Sequence, residues 1–185
     1  MSREAKDPQP AIERILFTEE QIAQRIREVA AQITERYRGK SLKLVGVLKG
    51  SVFFLTALAQ HIQIPVKMDF LGISTFSNKS SAPGIVRIAK DLDEPIENED
   101  VLLVEDIVDT GLTLRYLLQT LSSRGPNSLA VCTFLDRNSR RLVQIPVEFR
   151  CFEIPDRFVI GFGLDHNQLY RNLRYVAVMK PEKNA

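Results

Sequence analysis

The apolar positions change their period several times along the chain. Ile22, Ile26, Val29, Ala30, Ile33 and Tyr37 recur at steps of three and four, the spacing of one helix face. Thr18-Glu19-Glu20-Gln21 in front of them has the form of a capping box, and Gly39 offers a low-cost left-handed stop. The run Leu42–Leu48 is continuous and short, as a strand would be. Lys49-Gly50-Ser51 then opens a second apolar helix, expected to reach Ile62. Residues 66–73 and Ile85–Lys90 read as strands, the second a short returning one. Residues 101–104 are apolar at every position, which suits a strand buried on both faces. Leu114, Leu117, Leu118 and Leu121 restore helical spacing from Gly111 to the stop at Gly125-Pro126. Residues 129–135, 149–152, 158–160 and Val176–Met179 complete the strands. Strands alternating with helices predict an α/β fold around a mainly parallel sheet.

The polar stretches set the domain plan. Residues 1–10 (MSREAKDPQP) offer little to bury and read as a flexible arm, leaving 11–185 as one domain. Residues 75–84 (TFSNKSSAPG) form the most polar, turn-rich stretch inside it and predict an exposed, mobile loop, whereas 91–100 is an acidic linker. With 44% hydrophobic and 26% charged residues, a chain of 185 can bury one core without staples. Lysine and arginine number 25 against 23 aspartates and glutamates. The net charge of +2 carries no footprint for duplex nucleic acid, yet leaves room for a local basic pocket. Cys132 and Cys151 lack CxxC spacing and read as reduced, buried thiols, and two histidines, His61 and His166, are too scattered for a histidine-rich metal site. No apolar run approaches the roughly 18 residues of a membrane span, and the opening is too polar for a signal peptide, so a soluble, cytoplasmic protein is expected.

One segment concentrates chemistry: VLLVEDIVDTGLTL, residues 101–114. A buried strand is expected to end directly in Glu105-Asp106, and Asp109-Thr110-Gly111 leads into a helix with Thr113 in its first turn. Ligands of an open parallel sheet sit outside the carboxyl ends of its strands. Free amides at a helix start, with threonine hydroxyls beside them, suit a phosphate. The neighbouring carboxylates suit hydroxyls or a cation. A sugar phosphate needs both. The segment lacks GxxxxGK[ST], which excludes the triphosphate P-loop, and its aspartates are three apart rather than two. By pattern alone a second reading stands beside this one, in which Asp109 and Thr110 cap a helix and Glu105-Asp106 are solvated acids.

VLLVEDIVDTGLT resembles the phosphoribosyl-diphosphate motif of type I phosphoribosyltransferases. Its flanks narrow the resemblance to the hypoxanthine-guanine phosphoribosyltransferase family. VLKGS at residues 47–51, the lid-like stretch 75–84, the motif itself and FVIGFGLDHNQLYRNL at 158–173 agree in order. The resemblance implies a mostly parallel five-stranded sheet flanked by helices, with a small hood built from the N- and C-terminal segments. It also implies purine salvage: a 6-oxopurine, hypoxanthine and guanine foremost, and phosphoribosyl diphosphate become a nucleoside monophosphate and pyrophosphate, with Mg2+ as cofactor. Two alternatives are a relative preferring xanthine or another base and a nonenzymatic nucleotide-binding regulator on the same fold. A homodimer or homotetramer is implied, with no nucleic-acid or membrane partner.

The site residues follow from the same resemblance. Glu105 and Asp106 would hold the ribose hydroxyls, directly or through magnesium, and Asp165 would be a further metal ligand beside the purine. Asp109, Thr110, Gly111, Leu112 and Thr113 match the positions around the 5′-phosphate. Asp109 would also serve as general acid/base at the purine N7, since glycosidic bond formation releases a proton there. Lys49 and Gly50 would hold the pyrophosphate, in that family through a cis peptide between Leu48 and Lys49, and Arg171 would clamp it. Phe158 would stack on the base and Val159 would meet its edge. Arg137 stands where the family carries a lysine that donates to the 6-oxo group, and a planar fork is not a neutral exchange for an ammonium. Thr75 and Phe76 replace the usual serine-tyrosine pair of the mobile loop, and Phe162 and His166 replace tyrosines.

Overall fold

The computed structural model describes residues 12–76 and 85–180. In chain order the elements are β1 (Ile12–Phe17), α1 (Glu19–Arg36), β2 (Leu42–Leu48), α2 (Ser51–Ala59), β3 (Val66–Phe76), β4 (Ile85–Lys90), β5 (Asp100–Val108), α3 (Leu112–Ser122), β6 (Ser128–Asp136), a 3-10 turn at Asn138–Arg140, β7 (Phe149–Glu153), β8 (Val159–Ile160) and β9 (Val176–Met179). Five strands pair in parallel in the order β3-β2-β5-β6-β7, the expected core. A sixth strand corrects the expected number: β4 turns back antiparallel along β3, Ile73 facing Ile88. A separate sheet, β1-β9-β8, is antiparallel throughout and joins the two ends of the chain.

The uniform hydrophobicity of β5 is explained by its two faces. Successive strand side chains point to opposite sides. Leu102 and Val104 therefore pack into the layer holding α1 and α2, and Val101 and Leu103 into the layer holding α3. All four are fully buried. Helix α1 begins with the predicted capping box, Thr18 and Gln21 satisfying each other's backbone amides. Its stripe from Ile22 to Ile33 is buried, each aliphatic side chain contributing about 1.5–3 kcal/mol of transfer free energy. Arg25 of this helix donates to the carbonyls of Arg150 and Cys151, which blunts the open edge of β7. Cys132 and Cys151 are free and buried, and burial pushes both thiols up, Cys151 to about 12.

Several boundaries differ from the sequence expectation. Helix α2 stops at Ala59 rather than Ile62, because the amides of His61 and Ile62 turn to carbonyls three residues back and tighten the chain out of the helix. Strand β3 runs three residues beyond 73, so Thr75 and Phe76 are strand residues paired with Val86 and Ile85 rather than part of a loop. The rest of the expected mobile loop, 77–84, and the expected arm, 1–10, lie outside the described residues. Strand β1 had no counterpart in the sequence reading. Its pairing with β9 spans almost the whole chain, and nothing local announces it.

The order of the strands places the site. From β2 the chain moves outward to β3, and from β5 it moves the other way through β6 to β7. The carboxyl ends of β2 and β5, which pair directly, border the crevice where ligands of such sheets bind.

Candidate active site

A pocket of about 330 Å³ opens at that crevice. Lys49, Gly50, Glu105, Asp106, Asp109, Thr110, Gly111, Thr113, Asp165 and Arg171 all line it. Three separate stretches of sequence, 49–50, 105–113 and 165–171, thus meet at one cavity. Val47, Leu48, Ile73, Ile107, Val108 and Leu114 complete the wall; as ordinary apolar strand and helix residues they gave no signal in the sequence.

The turn after β2 forms one side. The peptide between Leu48 and Lys49 is cis, as the resemblance implied. Gly50 lies so close to Asp106 that a Cβ added there would fall on the carboxylate, a close approach open only to glycine. Gly50→Ala is therefore expected to lower the stability of the fold by about 1–3 kcal/mol, as overpacking does. Urea unfolding measures it, and an unchanged midpoint counts against the contact.

The floor corrects a boundary. Glu105 and Asp106 do not form a loop; they belong to β5, which continues to Val108 because its ladder with β6 continues, Glu105 opposite Thr133 and Val108 opposite Asp136. Being strand neighbours, the two side chains leave the strand on opposite faces, yet both line the pocket at its end. Burial pushes Glu105 well above the ordinary carboxylate range, and the charge of Asp106 adds to the effect. Burial likewise raises Asp106 to about 6. The Ile107 amide, which donates to its Oδ1 at 2.8 Å, and Arg171 draw it down, while Asp165 pushes it further up. These are carboxylates held away from water without enough positive charge.

Past β5 the chain bends through Asp109 and Thr110 to Gly111, which takes φ +85° as the residue leading into α3. No side chain caps this helix conventionally, so its first amides remain largely open to an anion. Leu112 is exposed beside the cradle rather than in its wall, and its amide donates to the Thr110 hydroxyl oxygen at 3.4 Å. The segment after β8 closes the opposite side. Asp165 pairs with Arg171 at 2.7 Å and accepts from the Gln168 amide at 2.8 Å. Arg171 also donates to the Gly163 carbonyl at 2.7 Å, and Lys49 Nζ reaches Gln168 Oε1 at 3.5 Å.

Asp109 connects this pocket to a second group of residues. Its Oδ2 is 3.3 Å from Arg137 and 3.4 Å from Arg140, whereas its Oδ1 is buried with no partner among the described residues. Arg137 is itself buried, gives Nη2 to the carbonyl of Arg157 at 2.7 Å, and keeps Nε unpaired among the described residues. Phe158 is half exposed and meets His166 edge-on, with ring centroids 5.5 Å apart. Val159, buried in β8, pairs with Val178. Arg137, Phe158 and Val159 lie outside the walls of the main pocket, and Arg137 is tied to it through Asp109. Arg140 was not expected. A charged residue in a short turn looks like any solvated cation until the fold brings it to Asp109.

Residues 14–167 match the phosphoribosyl transferase domain family. A hypoxanthine-guanine phosphoribosyltransferase of Streptococcus mutans is 43% identical over 171 residues, covering 92% of this chain and 95% of the relative. A hypoxanthine phosphoribosyltransferase of Salmonella typhimurium is 48% identical over 164 residues, 88% of this chain and 92% of its own. The chain belongs to the hypoxanthine-guanine phosphoribosyltransferase family. A crystal structure of the hypoxanthine phosphoribosyltransferase of Staphylococcus aureus superposes on this family member with a TM-score of 0.89 at 43% identity, covering 93% of this chain and 94% of the other.

Membership in the hypoxanthine-guanine phosphoribosyltransferase family raises the question of a divalent cation. Among the described residues no three histidine, cysteine or acidic side chains converge into a metal cage. Magnesium asks for less: one or two carboxylates, with substrate phosphates and water supplying the rest. Asp106 and Asp165 are hard oxygen donors on one pocket, and Asp106 lacks compensating charge. The residues fit a cation that arrives with its phosphates, not a permanently caged one. Among the described residues no helix is long and apolar enough to cross a membrane.

Proposed function

We propose that this protein is a cytoplasmic purine-salvage enzyme, converting hypoxanthine or guanine and phosphoribosyl diphosphate to the nucleoside monophosphate and pyrophosphate. The observation that carries the base-side reading is Asp109: one carboxylate oxygen is held by two arginines, and the other is buried at the pocket without a partner among the described residues. A buried acceptor left open is costly unless a ligand donor fills it. A purine carrying its proton on N7 is such a donor.

In this mechanism the open amides before α3 and the hydroxyls of Thr110 and Thr113 hold the 5′-phosphate, and the β5 carboxylates face the ribose diol. Lys49 and the guanidinium of Arg171 take the diphosphate. The purine N9 bonds to C1′ as the C1′–oxygen bond to pyrophosphate breaks, through an oxocarbenium-like transition state. The N7 proton passes to Asp109 Oδ1 as the new bond forms and returns from it in the reverse direction. Phe158 stacks on the base, Val159 meets its edge, and Arg137, a donor without acceptor capacity, favours a 6-oxo group over a 6-amino group. Magnesium, with Asp106 and Asp165 as its holders and Glu105 behind them, would neutralise charge on the diphosphate oxygens.

The test is steady-state turnover with phosphoribosyl diphosphate, magnesium and each purine in turn. Hypoxanthine and guanine are expected to react, adenine about 100-fold more slowly or worse, and chelation by EDTA to stop the reaction. Turnover of xanthine alone moves the assignment to the base that reacts; nucleotide binding without turnover of any base overturns the enzymatic reading. The family resemblance also supports a homodimer or homotetramer, which light scattering reads directly.

A further inference from the structure

We propose that Arg140 is a positioning residue, tying Asp109 to the purine-side segment so that Oδ1, and not Oδ2, faces the base. The inference rests on the reading of Asp109 given above. Arg140 closes the 3-10 turn after β6, its amide bonded to the carbonyl of Arg137 at 3.2 Å. From there its guanidinium spans two acids from different parts of the chain: Nη1 lies 3.4 Å from Asp109 Oδ2, and Nε lies 3.7 Å from Asp156 Oδ1. Asp109 follows β5, whereas Asp156 stands two residues before Phe158. The strap therefore joins the proton acceptor to the segment that carries the stacking ring.

Such a strap does little for stability. Arg140 and Asp156 are about half or more exposed, and exposed pairs at these distances contribute little to folding. Its effect is on geometry. Arg137 and Arg140 both address the same oxygen of Asp109. The carbonyl of Arg157 takes an N–H of the other terminal nitrogen of Arg137 at 2.7 Å, and only Nη1 of Arg137 reaches Asp109, so the two do not form a two-pronged pair that would use up Oδ1. With Arg140 holding Oδ2 from the solvent side, Oδ1 stays open and oriented. Without Arg140 a single 3.3 Å contact holds the carboxylate, which then samples other rotations.

The test combines Arg140→Ala, Arg140→Lys, Asp156→Asn, the Arg140→Ala/Asp156→Asn pair and Asp109→Asn, each measured for kcat and for the KM of base and sugar diphosphate separately. Arg140→Ala is expected to lower kcat/KM for hypoxanthine about 10-fold, as small misplacements of a catalytic group do, with the KM for phosphoribosyl diphosphate within about twofold and an unchanged melting midpoint. Lysine, a single point charge, is expected to rescue only part of the loss because it cannot span both acids. Asp156→Asn should cost less than Arg140→Ala, and the pair no more than Arg140→Ala alone. Full activity in Arg140→Ala, complete rescue by lysine, additive losses in the pair, or an equal loss of sugar-diphosphate affinity each overturns the strap. If Asp109→Asn itself retains full turnover, the reading of Asp109 fails instead, whatever Arg140 does.

Discussion

Asp109→Asn is expected to lower turnover with hypoxanthine about 10²- to 10⁴-fold, the range that a general acid or base contributes, while the KM for phosphoribosyl diphosphate changes little. The amide keeps an acceptor for Arg137 and Arg140 and keeps the side-chain volume, so the ion-pair geometry is largely preserved; what disappears is an oxygen able to take a proton. Asp109→Ala should lose the same activity and also leave the buried Arg137 guanidinium with one protein partner fewer, so its melting midpoint should fall slightly below that of the asparagine variant. The helix-cap reading of Asp109 makes the opposite forecast: near-normal turnover in both variants and a loss confined to stability. Single-turnover kinetics beside a thermal melt separate the two.

The second large effect has opposite signs for binding and stability. Asp106 is half-buried in the pocket, and desolvation of its carboxyl raises it to about 6 in the folded chain against an ordinary 3.8. The folded state then binds a proton more tightly than the unfolded state, so this group's contribution to stability is full below about pH 4 and is lost as pH rises through about 6. A shift of that size corresponds to about 3 kcal/mol at most by linkage. Asp106→Asn removes the penalty and retains the Ile107 amide's acceptor. In chelator-treated, ligand-free protein it should raise the stability by about 1–3 kcal/mol near pH 8 and make little difference near pH 4. The same substitution should abolish the stabilisation that magnesium and phosphoribosyl diphosphate together confer on the parent. Urea unfolding at both pH values, with and without those ligands, gives all four numbers. A variant less stable than the parent at pH 8 would mean that the carboxylate supports the fold rather than straining it.

Why a stable fold would keep so costly a pair becomes clear from their neighbours. Glu105 and Asp106 continue a strand whose preceding four residues are fully buried, so the ladder that anchors the sheet carries two acids into its dry end. The turn after β2 meets Asp106 so closely that only glycine fits. A cation and a diol entering the pocket would supply the charge and donors that the protein omits.

Local signals were legible where the physics was local. The capping box of α1, its apolar stripe, the β5 run and the glycine before α3 each depend on residues within a few positions of one another, and all appear as the sequence pattern predicts. The motif 101–114 also named its chemistry, since adjacent acids, a glycine and threonines before a helix limit what a strand end can bind. Boundaries were less legible: the strand does not stop at Glu105 because its partner β6 does not stop. The β1–β9 pairing and the order β3-β2-β5 rest on contacts between residues far apart in the chain, whose cost in loop entropy is repaid only when the whole core closes, whereas β4 returns along β3 within a few residues, as the short returning strand was expected to. So too with Arg140, which is a surface cation in the sequence and a neighbour of Asp109 and Asp156 once the turn after β6 is set. Sequence by itself determined most of the elements and the family; tertiary structure decided which groups meet, which lose their water, and which oxygen is left open. Side-chain identity sets what an atom can do, but its exposure and partners exist only after folding.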